Sequence, residues 1–439
     1  MAQFTGTPGT SSATAPSSLK KATVKSESGT SVSLVNGFIE LRYYESLLQD
    51  SLYLDYQYVD TGNTLDGKSL IDGFQENDES VVSAEFDVEF EDNNGESIKL
   101  DFNVNKINPA DANGKQVVTM NMITRESLMN EWIRLGKRFD GKISDHITTI
   151  LEEKMVTQRK VVEIQETENN LNFIPNNKKA YFTMNWLSPK SIPSKDGKKG
   201  DSAGFILFET ADGYYFKSID SLFAQNKKKS FIYTGSTDKD SIPPGYDGKI
   251  LEHKSDNRVN LKNKLVMGMY GTTIVRFNPR NCTFEVIEKT AEESKEGTTS
   301  SGKDIAKIDS DIASKTTRTT FMCVDDGVLP EGDNDEQIKK NDKETLDQLN
   351  VVSQSIRRYN QMYSAKETIT IPGDFSLHAG DAIYVDFPAS EEAHCGIEKA
   401  KEFGGKYIIS DLCHYVSTKA TYTKMNIIRD SFGRKPKGR

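Results

Sequence analysis

Cysteine is scarce in this chain. There are four in 439 residues, Cys282, Cys323, Cys395 and Cys413, and no two form a C-x-x-C pair. That spacing excludes a disulfide-stapled scaffold and a ribbon-type zinc site, and it predicts free thiols in a reducing compartment. Long apolar runs are missing as well. No stretch approaches the roughly 18 apolar residues of a membrane span, and the opening "MAQFTGTPGTSSATAPSSLKK" has no apolar core of a secretory signal. The sequence therefore predicts a soluble protein without stable membrane association. Basic charge is not in excess: 56 Lys and Arg stand against 65 Asp and Glu, a net charge of -9. A duplex-binding protein needs a basic face to displace counterions from phosphates, so that class is excluded.

What the sequence does have is large aromatic side chains, 17 Tyr and 21 Phe, in a chain long enough for two to four domains. Residues 1–30 are mostly Ser, Thr, Gly, Ala and Pro and predict a flexible arm. From about 33 to 60 the pattern is aromatic and extended, with "TGNTLDG" as a loop. In "AEFDVEFEDNNGESIKLDFNV" (84–104) Phe86, Val88 and Phe90 share a period of two with Ile98, Leu100 and Phe102. Asn94-Gly95 predicts a tight hairpin turn between them, with Glu85, Asp87 and Glu89 on a solvated outer face. "QVVTMNMITRE" adds a third strand. "TITIPGDFSLHAGDAIYVDFP" (368–388) predicts a second hairpin-like pair about Gly380-Asp381, burying Ile369, Ile371, Phe375, Leu377, Ile383, Val385 and Phe387.

Helical spacing appears twice. Ile143, Ile147, Ile150 and Leu151 form one stripe; Leu346, Leu349, Val352, Ile356, Tyr359 and Tyr363 form another, with Asn341 and Glu344 as a capping box. Between them "GFILFETADGYYFKSIDSLF" (204–223) reads as a hairpin turning at Asp212-Gly213 and ending in a helical turn. Residues 290–317 and 326–343 are polar and predict solvated insertions.

Candidate chemistry is thin. "GTTSSGKD" places Gly297, Gly302 and Lys303 in a phosphate-loop spacing, but Asp304 stands where the magnesium-binding hydroxyl belongs and no strand runs directly into the loop. A solvated loop explains it. His394-Cys395 and Cys413-His414 suggest zinc ligands only superficially, because strand neighbours point to opposite faces. His146, His253 and His378 are isolated. Glu85, Asp87 and Glu89 lie about 7 Å apart along a strand, which suits a wet face as well as a glycosidase pair. No G-x-S-x-G elbow is present. No catalytic, cofactor-binding or metal residue is assigned, and no cofactor.

Three segments in order, "ITRESLMNEWIRLGKRFDGKISDHITTILEEKM" (123–155), "NFIPNNKKAYFTMNWLSPKSIP" (172–193) and "GFILFETADGYYFKSIDSLF", resemble the central baseplate hub of contractile-tailed bacteriophages of the T-even type, most closely those infecting cyanobacteria. The closing "G-D-x-I-x-V" and "GKYIISDLCHYVSTKATYTKMNIIRDSFG" extend the likeness, which covers about 33–433. It implies a mainly β fold with α+β parts: an arm (1–30), a first tube-like β-barrel (31–135), an α+β domain (136–228) and a second tube-like barrel (229–439) carrying the two insertions.

It further implies a non-enzymatic homotrimer in the virion, assembled in the host cytoplasm. That trimer would join a tail tube or tube-initiator protein to a central spike, hold the baseplate wedge proteins, and pass phage DNA through its bore without reading sequence. Only "GRKPKGR" follows Phe432, so no needle or cell-wall-cleaving module is expected on this chain. The alternatives are a hub of a related contractile injection system, such as a secretion-system spike protein, and a carbohydrate-acting tail enzyme.

Overall fold

The computed structural model describes residues 14–76, 79–112, 115–195, 198–199, 202–233, 242, 244–258, 260–278, 282–290, 301, 308–323, 333, 336–337, 348–387 and 404–431. The Asn341–Glu344 box, Leu346, Gly297, Gly302, Lys303, Asp304 and His394-Cys395 lie outside these residues, as does most of 326–343.

The chain begins with β1 (Ser18–Lys25) and β2 (Ser31–Ser33), then β3 (Phe38–Ser46) and β4 (Tyr53–Asp60), α1 (Leu70–Glu76), β5 (Glu85–Glu91), β6 (Ser97–Ala112), β7 (Lys115–Ile123) and α2 (Arg125–Trp132). Alternation drives these strands: Leu41, Tyr43, Leu54, Tyr56, Phe86, Phe90, Phe102 and Met120 all point into one core. Residues 18–25 are thus not part of a flexible arm. β1 adds antiparallel to the open edge of β5, where Ala22 and Val24 extend the apolar face.

That added strand also corrects the reading of Asp87. Lys21 lies 2.9 Å from its carboxylate and Lys25 closes on it from the same strand, so Asp87 is 7% exposed instead of solvated. The β5–β6 hairpin forms with the expected facing, but its turn is wider than two residues. The last paired residues are Glu91 and Ser97, and of Asn94 and Gly95 only Gly95 takes positive φ, +90°. The Asp92 side chain organises the loop by accepting from the Asn94 and Glu96 amides.

The middle of the chain holds α3 (Ile143–Thr149), which widens into a π-type turn over Ile150–Lys154, then β8 (Val161–Ile164), α4 (Ala180–Leu187) and the short β9 (Ser194–Lys195) and β10 (Lys198–Lys199). β11 (Phe205–Thr210) and β12 (Gly213–Ser218) form the expected hairpin, and α5 (Ile219–Ala224) follows with Ser218 capping it through the Ser221 amide. Ile143, Ile147, Ile150, Leu151, Met184, Phe205 and Phe216 share this core.

The last part contains β13 (Lys229–Ile232), β14 (Gly248–Lys249), β15 (Glu252–Arg258), α6 (Leu261–Val266), β16 (Gly271–Asn278), β17 (Thr283–Thr290), α7 (Ser310–Ala313), β18 (Arg318–Cys323), α8 (Gln348–Met362), β19 (Ala365–Pro372), β20 (Ala382–Asp386), β21 (Gly405–Ser417) and β22 (Thr421–Arg429). β19 and β20 do not pair with each other, which corrects the hairpin expected at 368–388. β19 pairs with β15 and β22, β20 with β13 and β21. The residues between them, 373–381, cross over two intervening strands, and the seven apolar side chains expected inside are all buried.

α8 also differs from expectation. Val352, Ile356, Tyr359 and Tyr363 are half-buried, while the fully buried side chains include Ser353, Ser355, Arg357, Arg358 and Gln361. Helical period alone cannot see a polar face turned inward against other polar groups.

Among the described residues the principal sheet has 14 strands, running β14-β13-β20-β21-β3-β4-β7-β6-β5-β1-β2, with β22, β19 and β15 branching from β21. It is one continuous sheet, and no described ladder closes it into a barrel. β16, β17 and β18 make a separate three-stranded sheet.

Candidate functional site

The two halves of the principal sheet meet on β21. Along one edge, Gly405–Ile408 pair with β20 and Asp411–Ser417 pair with β3; along the other, β22 runs antiparallel from Ile408 to Val416. The change of partner falls at a bulge between Ile409 and Asp411. At the bulge the Ser410 carbonyl accepts from the Leu47 amide at 2.8 Å, and the Asp411 carboxylate gathers side chains: Ser46 Oγ donates to it at 2.6 Å, Ser410 Oγ at 2.7 Å and Asn426 Nδ2 at 3.2 Å. β20 and the adjoining ends of β21 and β22 are buried on both faces, with Ile383, Tyr407 and Ile427 inside one core and Ala382, Ile408 and Ile428 inside another built from Ile206, Phe208, Phe223 and Met362.

Beside this seam lies a set of buried carboxylates. Glu45, at the end of β3, is fully enclosed and accepts from Tyr43 Oη at 2.7 Å, the Ala211 amide at 2.8 Å, the Ala379 amide at 2.8 Å and His378 Nδ1 at 3.0 Å. Burial alone would raise its pKa, but His378 and these donors hold it below the usual carboxylate range. His378 is likewise pushed down by burial and lifted further by Glu45, ending above an ordinary imidazole. Glu209 on β11 faces Arg159 Nε at 2.9 Å, and burial pushes its carboxyl up to about 7 despite that partner.

A second cluster joins α8 to α5 and β22. Arg358 Nη2 lies 2.5 Å from Asp220, and the remaining Asp220 oxygen accepts from the Ser202 amide and hydroxyl. Asp430 accepts from the amide and hydroxyl of Ser301, which is buried; the described residues 308–317 are mostly exposed, as a solvated insertion would be. The neighbouring Arg357 is buried too, and burial next to Arg358 lowers its pKa to about 10.

The histidines are structural in geometry. His146 Nε2 bonds the Leu171 carbonyl at 2.8 Å, His253 Nε2 the Glu367 carboxylate at 2.9 Å, and His414 Nδ1 the Thr423 hydroxyl at 2.9 Å. Cys413 and His414 alternate faces, with Cys413 half-buried and His414 fully so. Cys282, Cys323 and Cys413 are free. Among the described residues no three His, Cys, Asp or Glu side chains are placed to hold a metal ion, and no helix is long and apolar enough to cross a membrane. An open polar groove of about 940 Å³ lies at one end of the first strands, between Asp60, Lys68, Asp72, Glu76, Asp111 and Lys115. Its Asp60 carboxylate is already taken by the Gly62 and Leu70 amides and the Thr64 hydroxyl.

No protein-family model matches the chain, and no curated protein matches it by sequence. Solved structures do. The tail protein from Neisseria meningitidis MC58 superposes with a TM-score of 0.50 over 93% of this chain and 96% of its own length, at 8% identity. The 43 kDa tail protein of prophage MuSo2 from Shewanella oneidensis gives 0.51 over 94% and 98%, at 9% identity. The chain has a tail-protein fold.

Within that tail-protein fold, the groups that hold the seam were not among the candidates from sequence. Glu45 and Glu209 sit in largely apolar or aromatic stretches, "YYESLL" and "FILFET", whereas Arg358 and Asp430 each stand next to a second charge, in "SIRRY" and "IIRDSF". For Glu45 and Glu209 a lone charge in an otherwise apolar run is the available signal, because burial obliges it to find a partner; Arg358 and Asp430 carry no such local signal.

Proposed function

We propose that this chain is a structural, non-enzymatic component of a phage tail, the hub of a contractile-tail baseplate. In this reading three copies form a ring, each contributing two tube-like halves, so that six similar surfaces meet the tail tube or its initiator and three meet the central spike. The halves correspond to 31–135 and 229–439, with the α+β part at 136–228 between them. The wedge proteins attach outside, and DNA crosses the bore without sequence-specific contact. The virion tail is the proposed location, with assembly in the host cytoplasm.

The observation that carries the reading is the fold shared with tail proteins over nearly the whole of both chains. The long principal sheet adds support, since a closed ring of subunits removes the exposed sheet edges that such a sheet otherwise presents. The net charge of -9 suits a channel that does not retain DNA.

A reconstruction of the particle tests it. Three copies on the tail axis, with the two halves related by a pseudo-six-fold rotation, are expected; six copies, or an off-axis position, overturn it. Zymography on peptidoglycan and host polysaccharide is expected to show no clearing. A hub of a secretion-type injection system would give the same ring with effectors in place of DNA, and the source particle separates the two.

A further inference from the structure

We propose that Glu45 and His378 form a proton-operated latch holding the β11–β12 hairpin against the seam of the principal sheet. Three separate parts of the chain meet at this one carboxylate. Glu45 belongs to β3; the Ala211 amide belongs to the hairpin turn; His378 and the Ala379 amide belong to the crossover that precedes β20. The inference does not depend on the trimer or on the tail reading.

The geometry concentrates the dependence on one proton. Glu45 has no exposed side-chain surface, so its charge is compensated only by what touches it: one titratable cation, two amides and the Tyr43 hydroxyl. The charges around His378 are otherwise acidic. Asp212 of the hairpin turn lies 3.8 Å from Nε2. On the crossover, Asp381 accepts from the His378 amide and pairs with Lys228, and Asp374 pairs with Lys229. From β21, His414 stacks on Tyr43 and is held neutral by burial, its pKa lowered to about 4.

The imidazolium is therefore favoured in the closed junction. Its stabilising contribution is complete below the ordinary imidazole value of about 6.5 and is lost as pH rises through the higher folded value. Losing the proton leaves the buried Glu45 carboxylate without a cation and removes the charge that faces Asp212, and burial then favours opening of the turn to water. Arg159 also donates to the Thr210 and Ala211 carbonyls at the turn, so the turn stays tethered through Arg159 while the Ala211 amide loses its carboxylate partner.

Amide hydrogen exchange on the purified full chain, corrected for intrinsic rate, tests the latch. Protection of the Ala211 and Ala379 amides is expected to fall about tenfold between pH 6 and pH 9 relative to core amides such as Tyr56. His378→Gln, which keeps a donor without a titrating charge, is expected to flatten that profile. The Leu52 amide, bonded to Glu209 at 3.3 Å, reports the nearby carboxyl separately. Should the variant not fold, the His378 ring resonances and the Ala211 amide shift of the native chain are expected to titrate with one midpoint. Identical profiles in native and variant chains, different midpoints, or a fall at Ala211 no larger than in the core would each overturn the proposal.

Discussion

Arg358 Nη1 on α8 lies 3.2 Å from the Asp430 carboxylate at the end of β22, and neither side chain meets solvent. With Asp220 on the other side of the same guanidinium, this contact ties α8 and α5 to the last strand of the chain. A buried charge held between two opposite charges costs more to expose singly than it gains as a set.

Breaking the set is therefore expected to be severe. Arg358→Met strands two buried carboxylates and should lower stability by about 3–5 kcal/mol. A double change to Asp220→Asn and Asp430→Asn in the Arg358→Met background should recover part of it. Denaturant titration of the three proteins checks this; a single variant within experimental error of native would refute the assignment.

Gly380 takes φ +88° in the crossover, and a Cβ there would come 2.8 Å from the Phe208 ring. Its amide also bonds the Ile409 carbonyl at 2.8 Å. Gly380→Ala is expected to cost about 1–3 kcal/mol through backbone strain and overpacking. Thermal melting gives the comparison, with Gly29→Ala as a control for positive φ in open space.

Asp87 titrates low, to about 2: burial would raise its carboxyl, but hydrogen bonds from Lys25 and Lys21 more than offset that. Its folded pKa lies below the unfolded value, so its stabilising contribution is present above about pH 4 and lost as pH falls towards 2. Because both lysines are partly exposed, Asp87→Asn should cost only about 1 kcal/mol at pH 7, and the gap should close near pH 2. Phe86→Asp, into the core on the other face, should cost several kcal/mol at any of these pH values. Urea melts at pH 7 and pH 2.5 that place the Asp87 variant below the Phe86 variant would reverse the facing.

The small β16–β18 sheet gives a test of alternation within one strand pair. Ile274 is fully buried, while Phe284 and Phe321, on the face opposite, are 63% and 76% exposed. Ile274→Ser should cost about 3 kcal/mol, and Phe321→Ser should stay within about 0.5 kcal/mol of native. Equal losses in chemical denaturation would show that this face is covered.

The sequence by itself determined the strand-rich class, the β5–β6 and β11–β12 hairpins, the β7 strand and the apolar stripe of α3. Each is set by side chains two to four residues apart, and both alternation and helical period are local properties. Only the tertiary structure decided that Ser18–Lys25 is a sheet strand, that Asp87 is enclosed, that β19 and β20 lie apart, and that α8 turns Arg357 and Arg358 inward. It also decided that one strand, β21, serves both halves of the sheet. All of these depend on partners tens to hundreds of residues away: β3 meets β21 across 365 positions at Ser46 and Asp411, and Glu45 meets His378 across 333. Local pattern says which face of a strand is apolar; which strand lies beside it is settled by the packing of the whole chain, and the partner of each buried charge is settled with it.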